Sequence, residues 1–364
     1  MKADAGLEEL RAHLIAGHSW IDVRAPVEFA LGHLPNAVNF PLLDDDQRRQ
    51  VGTVYKLEGA EAAAQLGHRL VNGDLKRQRV NTWREFVQSQ PNAIFYCFRG
   101  GLRSQISRQW LREAGVDQPL LTGGYKMARR FSLQEIQRIS TRHAFITVAG
   151  ATGSGKTRLL AEAAPLVPTL DLEALAKHRG SAFGKMPDPQ PAQAVFENQL
   201  ASRLIQLEDS PQPILLEDES RTIGAVAVPA AVFTALSEAP LLWIDESLEF
   251  RVNEIFRDYL LDSAIGREGG AQARAVFAGF RQSINNINRR LGGERSVEIL
   301  GLMAASEQAF FESAKLELNR GWIEKLLVYY YDPLYAQHLA RRGGKIAFKG
   351  GYQECLEFIR QGKM

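Results

Sequence analysis

A glycine-rich loop between an apolar strand and a helix is the feature that most restricts how this chain can fold. Residues 145–149 (FITVA) form an apolar, strand-like run, and residues 150–157 read GATGSGKT. This spacing matches the phosphate-binding loop G-x-x-x-x-G-K-[ST] in its required context of strand, turn and helix. The pattern therefore predicts an α/β domain with an anion site at the start of a helix.

Six residues of this loop are the predicted diphosphate ligands. Backbone N–H groups of the turn surround the phosphates, and the Lys156 ammonium reaches the terminal pair. The Thr157 hydroxyl is a candidate ligand of Mg²⁺, the one metal that the sequence indicates. The predicted ligands are Gly150, Gly153, Ser154, Gly155, Lys156 and Thr157. The loop leaves open whether ATP, GTP or a prenyl diphosphate carries the phosphates.

Two acidic strand ends are candidates to assist the loop. Residues 214–219 (ILLEDE) favour Glu217 or Asp218 as a carboxylate that holds the metal through water, and residues 241–246 (LLWIDE) are a second candidate. The first is preferred here. A third segment, residues 171–184, follows the next predicted strand, where related folds place the acceptor substrate. Its candidate substrate contacts are Asp171, His178, Arg179 and Ser181, and the alternative is a polar helix end followed by a turn.

A second anion loop follows the apolar run of residues 93–96 (AIFY) and reads CFRGGLRS from Cys97 to Ser104. The C-x5-R spacing from Cys97 to Arg103 lets successive N–H groups curl around one tetrahedral anion. Arg99, Arg103 and the start of the following helix all favour a thiolate. The sequence therefore predicts Cys97 as a nucleophile in a cradle formed by Arg99, Gly100, Gly101, Arg103 and Ser104. Cys355 has no such neighbours and is predicted to be structural.

Composition limits the classes of protein to which the chain can belong. Its 364 residues, 45% hydrophobic and 24% charged, suit two globular domains. No apolar run is long enough for a transmembrane helix, and two cysteines suit a reducing cytoplasm. The net charge is only +2, but three basic segments could form a track for a nucleic-acid backbone, the alternative being solvated helix faces. These segments contain Lys126, Arg129, Arg130, Arg138 and Arg142; Arg274, Arg281, Arg289, Arg290 and Arg295; and Arg341, Arg342, Lys345, Lys349, Arg360 and Lys363.

Strands alternate with helices along the whole chain, which predicts parallel sheets. The predicted division is residues 1–137 and residues 138–364, the second being a doubly wound P-loop domain with a helical insertion around residues 265–320. The strands predicted in the second part are 144–148, 169–172, 214–216, 241–244 and 326–331.

The first part resembles the rhodanese family. Residues 21–41 read IDVRAPVEFALGHLPNAVNFP and follow the signature D-x-R-x-x-x-E-[FY]-x-x-G-H-[IL]-P-x-A-x-[NH]. With the turn at residues 121–124 (LTGG), the resemblance covers roughly residues 5–137. It implies that Cys97 carries a chalcogen. Common sulfurtransferase loops are one residue shorter, and the C-x5-R form also occurs in dual-specificity phosphatases of this fold, so the wider cradle suits a phosphate or selenophosphate.

Both parts together resemble the tRNA 2-selenouridine synthase family, through the cysteine loop, the segment 171–184 (DLEALAKHRGSAFG) and the insertion 51–56 (VGTVYK). The resemblance implies a transferase that replaces the sulfur of wobble 2-thiouridine in tRNA with selenium. In that family the sulfur is first geranylated from geranyl diphosphate, and selenium from selenophosphate then displaces the S-geranyl group through an S-selanyl adduct on the cysteine. The implied partners are the tRNA anticodon arm and a supplier of selenophosphate, with no tightly bound cofactor and no membrane.

Two other readings remain open at this point. The C-x5-R spacing alone also fits a rhodanese-type sulfurtransferase or a phosphatase coupled to an NTPase. A non-catalytic module that senses nucleotide and binds RNA is the second alternative. The oligomeric state cannot be read from the sequence.

Overall fold

The structure is a computed structural model that describes residues 2–186, 188–262, 271–340, 342 and 345–363. The chain forms two compact units, Met1–Ile139 with Pro191–Asp209, and Ser140–Gln190 with Ser210–Met364. Each unit contains a parallel sheet, so the predicted α/β class is confirmed. The division predicted after residue 137 placed residues 191–209 in the second part, whereas their contacts group them with the first unit.

The first unit surrounds a three-stranded sheet with helices. Its elements are α1 Lys2–Ile15, β1 Trp20–Asp22, α2 Pro26–Leu31, β2 Ala37–Asn39, α3 Asp45–Glu58, α4 Ala60–Leu70, α5 Gly73–Ser89, β3 Ile94–Tyr96, α6 Leu102–Glu113, α7 Gly124–Arg142 and α10 Gln193–Leu207. The strand order is β2-β1-β3, all parallel. Residues 119–121 add a single parallel bridge, between Phe95 and Leu120.

Helix α10 belongs to this unit because of what it buries. Val195, Phe196 and Leu200 lie in the core, and α10 packs against α1. The Asn198 side chain, 1% exposed, donates hydrogen bonds to the His33 carbonyl at 2.8 Å and to the Tyr125 hydroxyl at 3.2 Å. The alternation of strands and helices along the sequence does not reveal these long-range contacts. The sequence analysis therefore placed helix α10 in the second part.

A buried ion pair fixes the carboxyl end of β1. Asp22, the last residue of β1, is fully buried, and the Arg24 side chain is 2% exposed. The guanidinium donates to both Asp22 oxygens at 2.6–3.0 Å and to the Gly32 carbonyl at 2.6 Å, and it lies 4.0 Å from the ring centre of Tyr125. Because β1 pairs with β3 at Asp22 and Tyr96, this pair holds the edge from which the cysteine loop leaves the sheet.

The second unit contains a five-stranded parallel sheet in the order β10-β9-β4-β6-β5 and a short hairpin. Its elements are β4 Phe145–Gly150, α8 Lys156–Ala163, β5 Thr169–Leu170, α9 Leu172–Ala176, β6 Ile214–Glu217, β7 Thr222–Ile223, β8 Val226–Ala227, α11 Ala230–Glu238, β9 Leu241–Ile244, α12 Leu248–Phe256, α13 Ala271–Leu291, α14 Gly293–Ser313, α15 Asn319–Leu326, α16 Asp332–Ala340, β10 Ile346–Gly350 and α17 Tyr352–Arg360, with π-helical turns at Arg257–Leu261 and Leu327–Tyr331.

The strand predicted at residues 326–331 is wrong, since this segment is helical. Its buried residues, Leu326, Leu327 and Tyr330, follow helical spacing, and they pack into an aromatic cluster with Trp322. A run of six apolar residues cannot be distinguished from a buried strand by composition alone. The true edge strand, Ile346–Gly350, was missed because three of its five residues are exposed.

The helical insertion predicted around residues 265–320 contains α13, α14 and the start of α15, while residues 265–270 lie outside the described residues. Its apolar residues join the cluster that also contains Phe256 and Trp322. In the part of the chain that the structure describes, no helix combines the length and hydropathy that a membrane span requires.

We predict that Arg24→Ala lowers the free energy of unfolding by about 3–5 kcal/mol, because it leaves the buried Asp22 carboxylate without a counter-charge. Arg49→Ala is the matched control, since Arg49 pairs with Asp46 on the surface and its loss should cost less than about 1 kcal/mol. Urea denaturation followed by circular dichroism measures both. Equal effects of the two substitutions would contradict the structural role assigned to Arg24.

Candidate functional site

The glycine loop of the second unit lies at the carboxyl end of the central strand β4 and leads into α8. The Lys156 ammonium donates to the Gly150 carbonyl at 2.8 Å, and the Gly150 N–H donates to the Tyr335 hydroxyl at 2.6 Å. Residues 152–158, except Ser154, line a cavity of about 420 Å³ that Lys156 and Thr157 enter from one side. The loop therefore presents a cation and free backbone donors to a cavity large enough for a diphosphate ester.

Three carboxylates lie beside Thr157. One oxygen each from Glu173, Glu217 and Glu219 lie within 4.8 Å of one another. The Thr157 hydroxyl is 3.3 Å from Glu217 Oε2 and 3.4 Å from Glu173 Oε2. Burial, followed by repulsion from neighbouring carboxylates, raises the pKa of Glu217 to about 8 and that of Glu173 to about 10. Burial also raises the pKa of Glu219.

These side chains fit a divalent cation. Glu217 is 1% exposed, and its Oε1 atom has no hydrogen-bond partner among the described residues. A buried oxygen without a partner is costly, and a hard cation such as Mg²⁺ takes oxygen ligands. Glu217 and Thr157, with Glu173 and Glu219 beside them, are the groups that would hold it.

The second acid of the predicted pair points elsewhere. Asp218 forms an ion pair with Arg342 and accepts from His338 Nε2 at 3.1 Å. Burial favours its neutral form, but His338 and Arg342 outweigh that effect and lower the pKa of Asp218. Because consecutive side chains of a strand point to opposite faces, Glu217 faces Thr157 and Asp218 does not. In the alternative candidate, residues 241–246, Asp245 pairs with Lys349 at 3.0 Å, and Glu246 accepts from the Tyr352 N–H at 2.6 Å.

The four candidate substrate contacts of the segment 171–184 separate into two pairs. Arg179 and Ser181 line the 420 Å³ cavity. The Arg179 guanidinium lies 4.8 Å from the ring centre of Tyr259, and the Ser181 hydroxyl is 3.0 Å from the Tyr259 hydroxyl. Asp171 instead caps α9, accepting from the Ala174 N–H at 2.8 Å, and burial raises its pKa.

His178, the remaining candidate, lies outside the cavity lining. Burial lowers its pKa, and its Nδ1 atom has no hydrogen-bond partner among the described residues. Arg179 and Ser181 therefore line the same cavity as the glycine loop, whereas Asp171 and His178 do not.

In the first unit, the cysteine loop connects β3 to α6. Cys97 is 3% exposed, and its Sγ atom lies 3.2 Å from the Ser104 hydroxyl and 3.8 Å from the Gly101 carbonyl. Gly100 has a φ of +67°, which favours glycine. A helix of twelve residues begins at Leu102, so its amino-terminal N–H groups lie beside the thiol.

The turn at residues 121–124 and the two residues after it hold the cysteine loop through backbone contacts. Tyr125 N–H donates to the Cys97 carbonyl at 2.9 Å, and Lys126 N–H donates to the Phe98 carbonyl at 2.9 Å. Gly124 has a φ of +57°, and a β-carbon there would lie 2.3 Å from the Cys97 carbonyl oxygen. Only glycine allows this approach, which explains why the LTGG turn accompanies the cysteine loop.

The two loop arginines have different surroundings. Arg103 donates to both Glu28 oxygens, at 2.5 and 3.1 Å, and Arg48 approaches the same carboxylate at 3.3 Å. Burial favours a neutral Glu28, but Arg103 outweighs it and lowers the pKa of Glu28. Arg99 lies 5.9 Å from the ring centre of Phe98. Glu28 thus positions Arg103 and offsets its charge until an anion binds.

Four site residues were not selected from the sequence: Glu28, Glu173, Glu219 and Tyr335. Glu28, Glu173 and Glu219 stood within the quoted motifs, so their signal was present but carried no role. Arg290 was named only as part of a basic segment. Arg290 lines the cavity from α13, and Tyr335 reaches it from α16, at separations that no local motif reveals.

Several residues of the predicted basic track are engaged within their own unit. Arg129 pairs with Glu197, Arg138 with Glu135 and Glu208, and Arg281 with Glu307. Arg274 and Arg295 lie over the rings of Phe311 and Tyr329. Arg341 lies outside the described residues.

The sequence matches two family models, a tRNA 2-selenouridine synthase AAA domain over residues 143–364 and a rhodanese-like domain over residues 6–128. A tRNA 2-selenouridine synthase of Bdellovibrio bacteriovorus is 49% identical over 355 residues, covering 93% of each chain. One from Nitrosomonas europaea is 44% identical over 99% of each chain, and one from Pseudomonas syringae pv. syringae is 42% identical over 97% of each. These matches confirm the resemblance that the motifs indicated.

We predict that Mg²⁺ raises the melting temperature more at pH 9 than at pH 6. Without metal, the folded protein retains protons on Glu217 that the unfolded chain, with an ordinary pKa of 4.5, has lost. The free energy of unfolding therefore falls as the pH rises from about 4.5 to about 8. A bound cation stabilises the ionised carboxylate and so offsets this loss of stability.

Glu217→Gln removes this titration and a metal ligand together. At pH 9 the metal-free variant should melt no lower than the wild type, and its response to Mg²⁺ should be reduced. Glu249→Gln, on the exposed first turn of α12, is the control. Equal stabilisation by Mg²⁺ at both pH values would contradict the assignment.

Proposed function

The chain belongs to the tRNA 2-selenouridine synthase family, and we propose that it replaces the sulfur of wobble 2-thiouridine in tRNA with selenium in two steps. The glycine loop binds the diphosphate of geranyl diphosphate for S-geranylation. The cysteine loop, with Cys97, binds selenophosphate for the transfer of selenium. The observation that carries this division is the presence of two separate anion cradles, one with a lysine and candidate cation ligands and one with a thiol.

The first step makes the sulfur a leaving group. The thiocarbonyl sulfur attacks C1 of the geranyl donor, and the S–C1 bond forms as the C1–O bond breaks. The N3 proton of the base passes to the departing diphosphate. Lys156 leaves the Gly150 carbonyl to bind the departing diphosphate, whose charge grows in the transition state. Mg²⁺, when bound at Thr157 and Glu217, would supply further charge stabilisation to the diphosphate oxygens.

A small crevice adjoins the diphosphate cavity. The crevice, of about 30 Å³, shares Thr152, Ser181, Ile255, Tyr259 and Tyr331 with that cavity, and its remaining lining residues are apolar. Its volume is that of about one water molecule, so a geranyl chain would enter it only after the lining side chains move apart. Neither chemical step calls for hydrolysis of a nucleotide.

The second step uses the cysteine loop. Selenophosphate oxyanions bind the N–H groups of the loop together with Arg99 and Arg103, which holds the selenium beside Cys97. This selenium attacks C2 of the S-geranyl base, and the C2–Se bond forms as the C2–S bond breaks. Cys97 gives its proton to the departing geranylthiolate. Water then cleaves the P–Se bond to release phosphate and reprotonates Cys97, and N3 takes up the proton of the selenophosphate. Ser104, 3.2 Å from Sγ, is placed to stabilise the thiolate through a hydrogen bond.

We predict that Lys156→Ala and Cys97→Ala block different steps. With tRNA, geranyl diphosphate and selenophosphate, Lys156→Ala should leave 2-thiouridine, with geranylation slowed on the order of 10²-fold or more. Cys97→Ala should accumulate S-geranyl-2-thiouridine. Mass spectrometry of the tRNA nucleosides measures both, and Lys325→Ala, a surface lysine paired with Glu298, is the control. The same products from both variants would refute the division.

We also predict that geranyl diphosphate binds the protein in the presence of Mg²⁺ and that Lys156→Ala weakens this binding by about tenfold or more, since it removes a charged partner of the diphosphate. Isothermal titration calorimetry with geranyl diphosphate and with ATP makes the comparison. Tight binding of ATP without binding of the prenyl donor would favour the alternative of an NTPase-coupled sulfurtransferase or phosphatase.

A further inference from the structure

A large cavity in the first unit has no role in the steps described above. It measures about 660 Å³ and lies between helices α3, α4 and α6. Its buried walls are apolar, as Leu42, Ala63 and Trp110 are each about 5% exposed. Its charged lining residues include Arg48, Arg49 and Lys56, which are exposed and form a basic rim around an apolar interior. Arg48 pairs with Glu28 and Arg49 with Asp46. We call this the α3–α6 cavity.

The cavity is continuous with the cysteine loop. Phe98, the residue after Cys97, lines it together with Leu102 and Arg103. Phe98 is 39% exposed and Leu102 is 55% exposed. Two large apolar side chains next to the cysteine are therefore partly exposed to water. An apolar ligand in the cavity would cover both side chains.

The insertion of residues 51–56, which the sequence singled out without a role, forms one wall. It lies on α3, and Val51, Tyr55 and Lys56 line the cavity. Helix α3 is exposed along most of its length and has no fully buried residue. The insertion therefore adds little to the core and instead encloses the space beside the reactive cysteine.

We propose that the α3–α6 cavity binds the ten-carbon prenyl chain of S-geranyl-2-thiouridine while Cys97 acts on the base. This inference rests on the proposed function. In the selenation step, C2 of the base must meet the selenium held at the cysteine loop, and the geranyl sulfur is bonded to that same carbon. The chain must therefore lie within a few bonds of the cysteine loop, where the cavity begins.

Chemistry and size select this occupant over others. The volume falls within the range of about 300–1,000 Å³ typical of ligand pockets. A nucleobase would bury its polar edges against walls that are mostly apolar. The basic rim suits the phosphates of an RNA to which the chain is attached. Binding by the chain also lets the enzyme distinguish alkylated from unalkylated thiouridine at the cysteine loop.

The test is a series of anticodon-arm RNAs that carry S-methyl, S-dimethylallyl or S-geranyl thiouridine, with selenophosphate and the full-length protein. Each buried methylene contributes about fourfold in affinity, so kcat/KM for selenation should rise with chain length, by about tenfold or more from S-methyl to S-geranyl. Equal kcat/KM for all three RNAs would overturn the cavity assignment while leaving the two-step function intact.

A filling substitution localises the effect. Ala64 lines the cavity from α4, and Ala62 lies on the same helix outside the lining. Ala64→Phe should lower kcat/KM for the S-geranyl RNA by about tenfold and leave the S-methyl RNA nearly unchanged, whereas Ala62→Phe should alter neither. Loss of activity on both RNAs with Ala64→Phe and retained folding would count against the assignment.

A photo-crosslink on the wild type avoids reliance on a folded variant. An RNA whose S-geranyl chain ends in a diazirine should label peptides within residues 42–71 or 98–110, and labelling confined to other peptides would overturn the proposal. Labelling of residues 42–71 by a diazirine analogue of geranyl diphosphate, and not by the RNA, would assign the cavity to the donor and overturn it too. If the wild type converts no S-alkyl RNA but selenates thiouridine directly, the two-step function itself fails.

Discussion

The convergence of parallel strands at one edge is the constraint on which both sites depend. Parallel strands bring their carboxyl ends to the same side of a sheet, and the loops that follow them face a common space. In the second unit, β4 ends in the glycine loop and its neighbour β6 ends at Glu217, so the lysine, the threonine and the carboxylates meet. In the first unit, the Asp22–Arg24 pair holds the corresponding edge, from which Cys97 follows β3.

Each of the two loops has basic and acidic side chains beside it. Glu28 binds Arg103 in the cysteine loop, and the carboxyl groups around Thr157 lie near Lys156. The two arrangements differ in protonation. Arg103 lowers the pKa of Glu28, which favours the ionised form, whereas burial and repulsion from neighbouring carboxylates raise the pKa of Glu217 and Glu173, which favours their neutral forms.

Sequence motifs predicted the fold class and the positions of both loops because these features are local. The spacing of Cys97 and Arg103, and of Gly150 and Lys156, fixes backbone geometry within a single turn. Prediction failed where residues far apart in the chain had to meet. Residues 326–331 were predicted as a strand because a continuous run of six apolar residues shows neither helical nor strand periodicity. Helix α10 was assigned to the second part because only packing decides which core its apolar face joins.

The sequence by itself determined two loop motifs, from which it predicted anion binding and a reactive cysteine, since a few adjacent residues encode each motif. Only the tertiary structure decided which acid faces Thr157, which arginine Glu28 holds, and that the insertion at residues 51–56 encloses a cavity beside Cys97. The physical reason is that side-chain direction and enclosed volume depend on contacts between elements, and these contacts are not written in any single segment.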